Sequence, residues 1–245
     1  ASSSFLRHYD EAQILLKSQP QICAIGADGG HDGLADLLPA ATLGIFSTGL
    51  AVPIGHPARS YGEFIIWLRA QPPPVIFASP AAGSGPHVIG ARMGQMLDVE
   101  LTHAPYRGTG PALQDLIAGR LPMLFAPLGD LVPRHGQELR ILAISAPRRV
   151  ERISEVPTFA ELGRPELTLE DWIGAFLPRD TSRVIQSALA EAIRHGARTA
   201  ATIAGLQKME IKGEIIGPDE LTTRLRQERS QWSTIVREAR ISVEE

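Results

Sequence analysis

The sequence predicts an α/β protein in which most strands run parallel. Short apolar or β-branched runs alternate along the 245 residues with longer segments whose apolar residues recur at helical spacing. At two junctions such a run leads into a helical segment through Gly-(Ser or Thr)-Gly-Pro, which is typical of a turn that starts a helix. A chain of this length can form one large domain or two smaller lobes.

The composition restricts the possible partners. The formal net charge of −3 leaves no basic excess to neutralise phosphates, so we expect no nucleic-acid partner. The single cysteine, Cys23, excludes an intrachain disulfide and a cysteine-based metal site, and such low cysteine use fits either the cytoplasm or the periplasm. No apolar run reaches the length of a membrane span, and the first residues, Ala1–Ser4, lack the basic and apolar segments of a signal peptide.

The first part of the chain begins with helical periodicity over residues 5–17. A short strand at Ile22–Ile25 leads into Gly26–Gly33, a loop of glycine and polar residues. Open α/β sheets bind ligands in loops at the ends of strands, so this loop is a candidate binding loop. The apolar run over residues 41–54 predicts one or two strands and the first crossing between two lobes.

The middle of the chain carries the clearest alternation. A helix over residues 60–70 ends at Pro72–Pro74. Each of the next two strands leads through a glycine-rich turn into a helix with one apolar face, and two further strands follow. The strands are residues 75–77, 99–101, 121–126 and 139–145, and the apolar faces are Ile89, Met93, Met96 and Leu97, then Leu113, Leu116 and Ile117.

The last part of the chain predicts a return to the first lobe. Residues 156–163 indicate a turn and a short helix, and residues 172–178 predict the returning strand. Two helices, residues 181–194 and 218–240, then complete the chain, since their apolar residues keep helical spacing.

The two glycine-rich turns, residues 78–87 and 105–111, are candidate anion sites. A turn that leads into a helix presents free backbone N–H groups and the positive end of the helix dipole. Ser84 and Thr109 are placed to cap the two helices, and each turn ends in a proline that suits a first helical turn. Two converging helix starts would favour a ligand with more than one carboxylate. Alternatively, both turns are ordinary strand–turn–helix connections.

The sequence lacks recognisable motifs for catalysis or metal binding. It contains no nucleotide-binding P-loop, no dinucleotide fingerprint and no nucleophile elbow around Ser84. Ser84 and His87 lie three residues apart, but no acid that would orient the histidine can be identified. His31 and Asp32 are adjacent without a third ligand at a recognisable spacing. We therefore expect places that hold an anion, with no catalytic residue, metal or cofactor.

Four ordered segments resemble the substrate-binding receptors of tripartite tricarboxylate transporters, also called Bug receptors. Residues 77–87 resemble a ligand loop of that family, and residues 105–119 resemble its Pro-Tyr-basic-Gly loop and the following helix. Residues 142–163 resemble its strand and Pro-Thr-x-x-Glu-x-Gly turn, and residues 218–236 resemble its last helix. Because order and spacing agree from about residue 41 to residue 241, the match is far more specific than any single motif.

The resemblance implies a type II periplasmic-binding fold, in which two α/β lobes surround a cleft that closes on its ligand. The first lobe would comprise residues 1–48 and 172–245, and the second, with both anion loops, residues 49–171. The resemblance also implies a periplasmic receptor, not an enzyme, that delivers a small organic anion (a carboxylate or an amino acid) to membrane permease subunits; we expect a monomer. Transferred by position, the ligand-binding residues are Ala27, Asp28, Ala82, Gly83, Ser84, Gly85, His87, Tyr106, Arg107, Gly108 and Thr109.

Three features depart from the family pattern. The Pro-Gly-Gly-rich loop that normally opens the first lobe is not found, so we expect this lobe to lack its usual N-terminal strand, loop and helix. Arg107 replaces an expected lysine and keeps its charge. Asp28 replaces a small hydroxyl residue and would repel a carboxylate, which favours a ligand with an ammonium or hydroxyl group.

Three other functions stay open at this point. A receptor without its first loop could have lost transport and act as a sensor or a regulatory partner. Ser84 and His87 could serve a hydrolase or a transferase. A cytoplasmic effector-binding domain would use the same two lobes, although no DNA-binding segment is visible.

Overall fold

The computed structural model describes residues 15–18 and 37–238, with side chains over residues 37–228. Strands and helices alternate along most of this range, as the sequence predicts. The strands are β1 Leu15–Ser18, β2 Leu37–Pro53, β3 Val75–Ser79, β4 Leu101–Pro105, β5 Leu124–Pro127, β6 Leu139–Ile144 and β7 Glu170–Pro178. The helices are α1 Tyr61–Arg69, α2 Gly85–Leu97, α3 Thr109–Ile117, α4 Leu128–Leu131, α5 Arg183–Gly196, α6 Ala200–Lys208 and α7 Pro218–Glu238.

The described residues fall into two compact units. The first comprises residues 15–18, 37–45 and 171–234, and the second comprises residues 46–170 and 235–238. The long strand β2 contributes residues to both units. The lobe boundaries expected from the sequence, after residues 48 and 171, stay a prediction.

The sheet of the second unit mixes parallel and antiparallel strands. β3 pairs in parallel with β4 and with β5, and Phe77 lies beside His103 in this register. β2 pairs antiparallel with both β5 and β6. Four of its five strands, β3 to β6, therefore run in the same direction, as expected of mainly parallel strands, and β2 alone of the five runs against them. Strands β3, β4, β5 and β6 all end at the same edge of this sheet, which we call the carboxyl edge.

Helices cover both faces of this sheet. On one face, α1 and α2 bury Phe64 and Ile89 in a cluster with Phe77 and Phe125. Gly90 of α2 permits this approach, because a Cβ there would lie 2.3 Å from the Phe77 ring. On the other face, α3 and α4 bury Leu113, Leu116, Leu128 and Leu131. The helices α2 and α3 thus lie on opposite faces, and both begin at the carboxyl edge.

The first unit is built around β7, which pairs antiparallel with β1 from Leu15↔Phe176 to Ser18↔Ile173. Apolar side chains of β2, β7 and α7 form one buried cluster, and those of β2, β7 and α5 form another. A buried amide ties α5 to β2, since Gln186 Nε2 donates to the Pro39 carbonyl at 2.7 Å.

A buried carboxyl group lies near the start of β7. Asp171 is 2% exposed, and its Oδ1 has no hydrogen-bond partner within the described part of the chain. Burial, and then the nearby Glu228 carboxylate, raise the pKa of Asp171 to about 7. Glu228 itself accepts hydrogen bonds from Trp172 Nε1 at 3.0 Å and from Arg224 Nε at 2.8 Å. Asp171 therefore holds its proton for part of the time at neutral pH.

Several elements differ from the sequence prediction. Residues 15–17 belong to strand β1, so the end of the helix predicted over residues 5–17 is wrong, because pairing with β7 overrides the local periodicity. Strand β4 begins at Leu101 rather than at Val99, because the Val99 N–H still bonds to the Gly94 carbonyl at the end of α2. The predicted strand Ile22–Ile25 and loop Gly26–Gly33 lie outside the described residues.

Two further differences concern helices. Residues 159–163 form a turn rather than a short helix. The sequence does not predict α6, because none of its residues is buried and its apolar residues therefore show no face. Thr199, whose Oγ1 accepts the Thr202 N–H at 3.3 Å, caps this helix.

Candidate functional site

The first glycine-rich turn joins β3 to α2 at the carboxyl edge. Ser84 is the N-cap of α2, as predicted, and its Oγ accepts the His87 N–H at 3.4 Å. The same hydroxyl donates to the Ala81 carbonyl at 2.7 Å. Gly83 has a positive φ of 70° and donates its N–H to Nδ1 of His87 at 3.0 Å. Much of the polar surface of this turn is thus bonded within the turn itself.

The second glycine-rich turn joins β4 to α3. Gly108 is the N-cap with a positive φ of 98°, and no side chain of the described residues caps this helix. The predicted cap by Thr109 is wrong, because the helix begins one residue earlier than expected and Thr109 is its first residue. A Cβ at Gly108 or at Gly110 would meet no atom within 4 Å. The start of α3 is therefore open and uncapped.

Backbone hydrogen bonds hold the two turns side by side. The Tyr106 N–H donates to the Ser79 carbonyl at 3.1 Å, and the Gly108 N–H donates to the Pro80 carbonyl at 2.8 Å. Since β3 and β4 are parallel neighbours, both turns leave the same edge of the sheet. The positive ends of two helix dipoles therefore lie at one place on the second unit.

Two neutral imidazoles stack behind the first turn. The rings of His87 and His103 lie 3.6 Å apart between centroids, and their planes differ by 12°. Burial lowers the pKa of His87 to about 3, with a smaller contribution from His103, and burial lowers the pKa of His103 to about 4. Both rings are therefore uncharged at neutral pH, so they stack without charge repulsion.

Tyr106 and Arg107 differ in how they are held. The Tyr106 hydroxyl donates to Oδ2 of Asp115 at 2.6 Å, and Arg120 Nε donates to Oδ1 of the same carboxylate at 2.8 Å. The hydrogen bond with Asp115 raises the pKa of Tyr106, and it also lowers the pKa of the Asp115 carboxyl. Arg107 is exposed at the tip of the turn. The Tyr106 hydroxyl therefore links the second turn to α3, whereas Arg107 is exposed.

Nine of the eleven residues predicted to bind ligand lie in these two adjacent turns. Within the first turn Ala82 is exposed, whereas Gly83, Ser84, Gly85 and His87 are buried. The other two, Ala27 and Asp28, lie outside the described residues.

Buried hydroxyls at the carboxyl edge escaped the sequence prediction. Ser145, directly after β6, accepts the Thr48 N–H at 2.9 Å and donates to the Leu169 carbonyl at 2.6 Å. Oγ1 of Thr48 is buried, and it has no partner in the described part of the chain. A polar residue directly after an apolar run, as Ser145 follows residues 141–144, is the signal that could have identified them.

The second unit also carries a cavity that is separate from both turns. It measures about 500 Å³, lies at the opposite edge of the sheet and is lined by residues that include Ile54, His56, Ile117 and Pro122. Over residues 15–18 and 37–238, no group of three or more His, Cys, Asp or Glu side chains could hold a metal ion. Among those same residues, no helix combines the length and the apolar character needed to cross a bilayer.

The sequence matches one family model over most of its length. Residues 30–241 match the tripartite tricarboxylate transporter family receptor. The chain belongs to this receptor family. The resemblance carried by the four motifs is thereby confirmed.

Curated relatives of the receptor family are similar over most of this chain. The UPF0065 protein in the tcbD-tcbE intergenic region of Pseudomonas sp. strain P51 is 29% identical over 213 residues, which cover 84% of this chain and 62% of that protein. Protein BugT of Bordetella pertussis is 27% identical over 206 residues, which cover 84% of this chain and 63% of BugT. The chain thus spans less than two thirds of the length of these relatives.

Solved structures share the fold. The periplasmic binding protein BugD matches with a TM-score of 0.87 and 18% identity, over 94% of this chain and 78% of BugD. Rpa4515 of R. palustris, solved with adipate, matches with a TM-score of 0.86 and 24% identity over 94% and 78% of the two chains. MatC of Rhodopseudomonas palustris, solved with bound malate, matches with a TM-score of 0.82 and 23% identity, over 91% of this chain and 78% of MatC. The expected periplasmic-binding-protein-like fold class is confirmed.

Proposed function

We propose that this chain is a solute-binding receptor that captures a small organic acid for a tripartite transporter. The observation that carries the proposal is the pair of glycine-rich helix starts held side by side at one edge of one sheet. Backbone N–H groups at helix starts, together with the helix dipole, form a natural carboxylate site. Membership of the receptor family supports the same function.

The second turn is the better placed of the two to bind a carboxylate. In the first turn, the Ser84 hydroxyl and the Gly83 N–H are already bonded within the turn. In the second, α3 has no side-chain cap among the described residues, and Arg107 is exposed beside its start. A carboxylate there would accept the N–H groups of Thr109 and Gly110, with the Thr109 hydroxyl as a further donor. Such a helix start contributes about 0.3–1 kcal/mol to an exposed anion and up to about 2 kcal/mol in a partly buried site.

The first turn supplies a second anion position. Ala82 is exposed at its tip, beside the start of α2. Two adjacent positive positions favour a ligand with two carboxylates. Rpa4515 was solved with adipate and MatC with malate, which are both dicarboxylates and therefore support this class. An amino acid remains the alternative ligand, on the grounds of Asp28 given above.

The proposed partners are the permease subunits of a tripartite transporter, and the proposed location is the periplasm. Both rest on the family and on structural relatives that are described as periplasmic. We further propose a monomer that needs no cofactor or metal, and a net charge of −3 supports the absence of a nucleic-acid partner.

The contacts of Ser84 and His87 argue against a hydrolase. Ser84 Oγ contacts the backbone N–H of His87 rather than its ring. The ring accepts the Gly83 N–H at Nδ1, so a neutral His87 carries its proton on Nε2 and has no free lone pair for a hydroxyl. A pKa of about 3 also makes His87 too weak a base to activate serine at neutral pH. These contacts support binding without chemical conversion.

A thermal-shift screen of mono-, di- and tricarboxylates and acidic amino acids tests the proposal. A ligand at 100 times its dissociation constant adds about 2.7 kcal/mol to the unfolding free energy, which raises Tm by several degrees. We expect dicarboxylates to raise Tm and monocarboxylates of equal length to leave it unchanged. If no acid shifts Tm while the protein unfolds cooperatively, the proposal fails, and a receptor that has lost its ligand is the better account.

A further inference from the structure

The stacked histidines connect to the first glycine-rich turn through both rings. His87 lies in the first turn of α2, and its Nδ1 accepts the N–H of Gly83 at 3.0 Å. His103 belongs to the neighbouring strand β4, and its Nε2 lies 2.7 Å from Oγ of Ser79. The two rings therefore contact both ends of the segment that connects β3 to α2.

The hydrogen bonds determine which nitrogen carries the proton in each ring. Ser79 Oγ donates to the Ala81 carbonyl at 3.0 Å, so it accepts from Nε2–H of His103. The neutral His87 accepts at Nδ1 and therefore carries its proton on Nε2. The Ala81 carbonyl accepts from Ser84 Oγ as well as from Ser79 Oγ. His103 thus contacts the turn at its strand end, through Ser79, and His87 contacts it at its helical end, through Gly83.

The stack restricts the rotation of the His87 ring. The centroid separation of 3.6 Å leaves no space for another side chain between the two rings, and Phe77 lies 5.8 Å from His87 and 5.0 Å from His103. Rotation of the His87 ring about χ2 would break both the stack and its bond to Gly83. A smaller residue at position 103 would remove that restriction.

His103 also stands next to the second glycine-rich turn. It lies three residues before Tyr106, whose N–H bonds to the Ser79 carbonyl at 3.1 Å. Ser79 thus bonds through its side chain to His103 and through its carbonyl to Tyr106. A displacement of His103 would therefore shift Ser79 and, through its bonds, both glycine-rich turns.

We propose that His103 is a positioning residue for ligand capture, which acts through His87 to hold the Gly83 N–H and the first glycine-rich turn in the conformation that receives an anion. His103 is not itself expected to touch the ligand, and this role rests on the function proposed above. On this proposal the stack of the two imidazole rings raises ligand affinity and does not serve packing alone.

Two substitutions of His103 and one neighbouring control test the role. In the full chain, His103→Ala removes the ring, His103→Phe keeps a ring that can stack, and Thr102→Ala changes an exposed neighbour on the same strand. Isothermal titration with adipate should show about tenfold weaker binding for His103→Ala, the effect of losing about one ordered hydrogen bond. His103→Phe, which can stack on His87 but cannot donate to Ser79, should recover part of the affinity, and Thr102→Ala should match the wild type.

A double-mutant cycle tests whether the effect passes through His87. In a His87→Ala background, His103→Ala should cause a clearly smaller loss of adipate affinity than it causes in the wild type, because only its bond to Ser79 is then left to lose. A full additional loss in that background would overturn the proposal, as would wild-type affinity for His103→Ala. If His103→Ala does not fold, His103→Leu, which fills similar space without a ring, takes its place in the cycle.

Amide exchange measured by NMR without ligand separates this proposal from the proposed function. We expect the Gly83 amide to exchange at least about tenfold faster in His103→Ala than in the wild type, and His103→Phe to restore protection. If no carboxylate binds the wild type but Gly83 responds in this way, the proposed function fails while the positioning of the turn is upheld. An unchanged Gly83 amide in His103→Ala would overturn the positioning role, whatever the ligand.

Discussion

The contact between α2 and β3 leaves no room for a side chain at Gly90. A Cβ there would lie 2.3 and 2.5 Å from two carbons of the Phe77 ring and 3.0 Å from the Phe125 ring. Phe77 is 1% exposed and Phe125 is fully buried, so neither ring can turn into solvent. Overpacking of this kind costs about 1–3 kcal/mol, while alanine gains up to about 1 kcal/mol in helix propensity over glycine. We therefore expect Gly90→Ala to lower the unfolding free energy by about 1–2 kcal/mol.

Urea unfolding of wild type, Gly90→Ala and Gly62→Ala measures this cost. Gly62 is the matched control, because it lies in α1 of the same unit and a Cβ there would meet no atom within 4 Å. Gly62→Ala should be neutral or slightly stabilising. Equal stability of Gly90→Ala and the wild type would mean that α2 and the Phe77 ring are not in the tight contact described above. Because Phe77 packs beside His87 and His103, Gly90→Ala should also weaken ligand binding.

Three further predictions concern charge and capping. Asp171 has a folded pKa of about 7, above its unfolded value of 3.8, so its contribution to the unfolding free energy is complete below pH 3.8 and is lost as the pH rises through 7. In urea unfolding at pH 8, Asp171→Asn should therefore stabilise the protein by about 2 kcal/mol. His87 has a folded pKa of about 3, below its unfolded value of 6.5, so its contribution to stability should fall by up to about 1.4 kcal/mol per pH unit below pH 6.5. His103, with a folded pKa of about 4, adds to this slope, and unfolding curves of the His87→Phe variant should therefore lose part of it. Ser84→Ala removes the N-cap of α2 and should lower the unfolding free energy by about 1 kcal/mol, whereas an equal stability with the wild type would show that this cap is dispensable.

Local sequence signals predicted the elements of the second unit well. The alternation around residues 60–145 corresponds to α1 through β6, because the apolar faces there pack in the sheet or against it; of the residues predicted for these faces, Ile117 is exposed. The direction of β2 could not be predicted, since a run of buried residues has the same pattern in a parallel and in an antiparallel pair. The helix α6 was not predicted, because it buries no residue and its sequence therefore shows no apolar face.

The candidate site was predictable only as far as local chemistry extends. Gly-Ser-Gly-Pro placed the cap at Ser84 correctly, because the serine hydroxyl reaches the N–H three residues later. The same pattern misplaced the cap at Thr109, where the positive φ of Gly108 starts the helix one residue sooner. His103 could not be assigned a role, because its contacts with Ser79 and His87 depend on the pairing of β3 with β4 and on the packing of α2.

A ligand carboxylate at the start of α3 is what two variants of this helix would detect. Thr109→Asp and Gln114→Glu add the same negative charge to α3, the first at its opening residue and the second at an exposed position farther along. An aspartate in the first turn stabilises a helix, so loss of binding by Thr109→Asp would not reflect unfolding. Isothermal titration with adipate and malate should show at least about thirtyfold weaker binding for Thr109→Asp and near-wild-type affinity for Gln114→Glu. Equal affinity of both variants and the wild type would contradict the claim and place the carboxylate elsewhere.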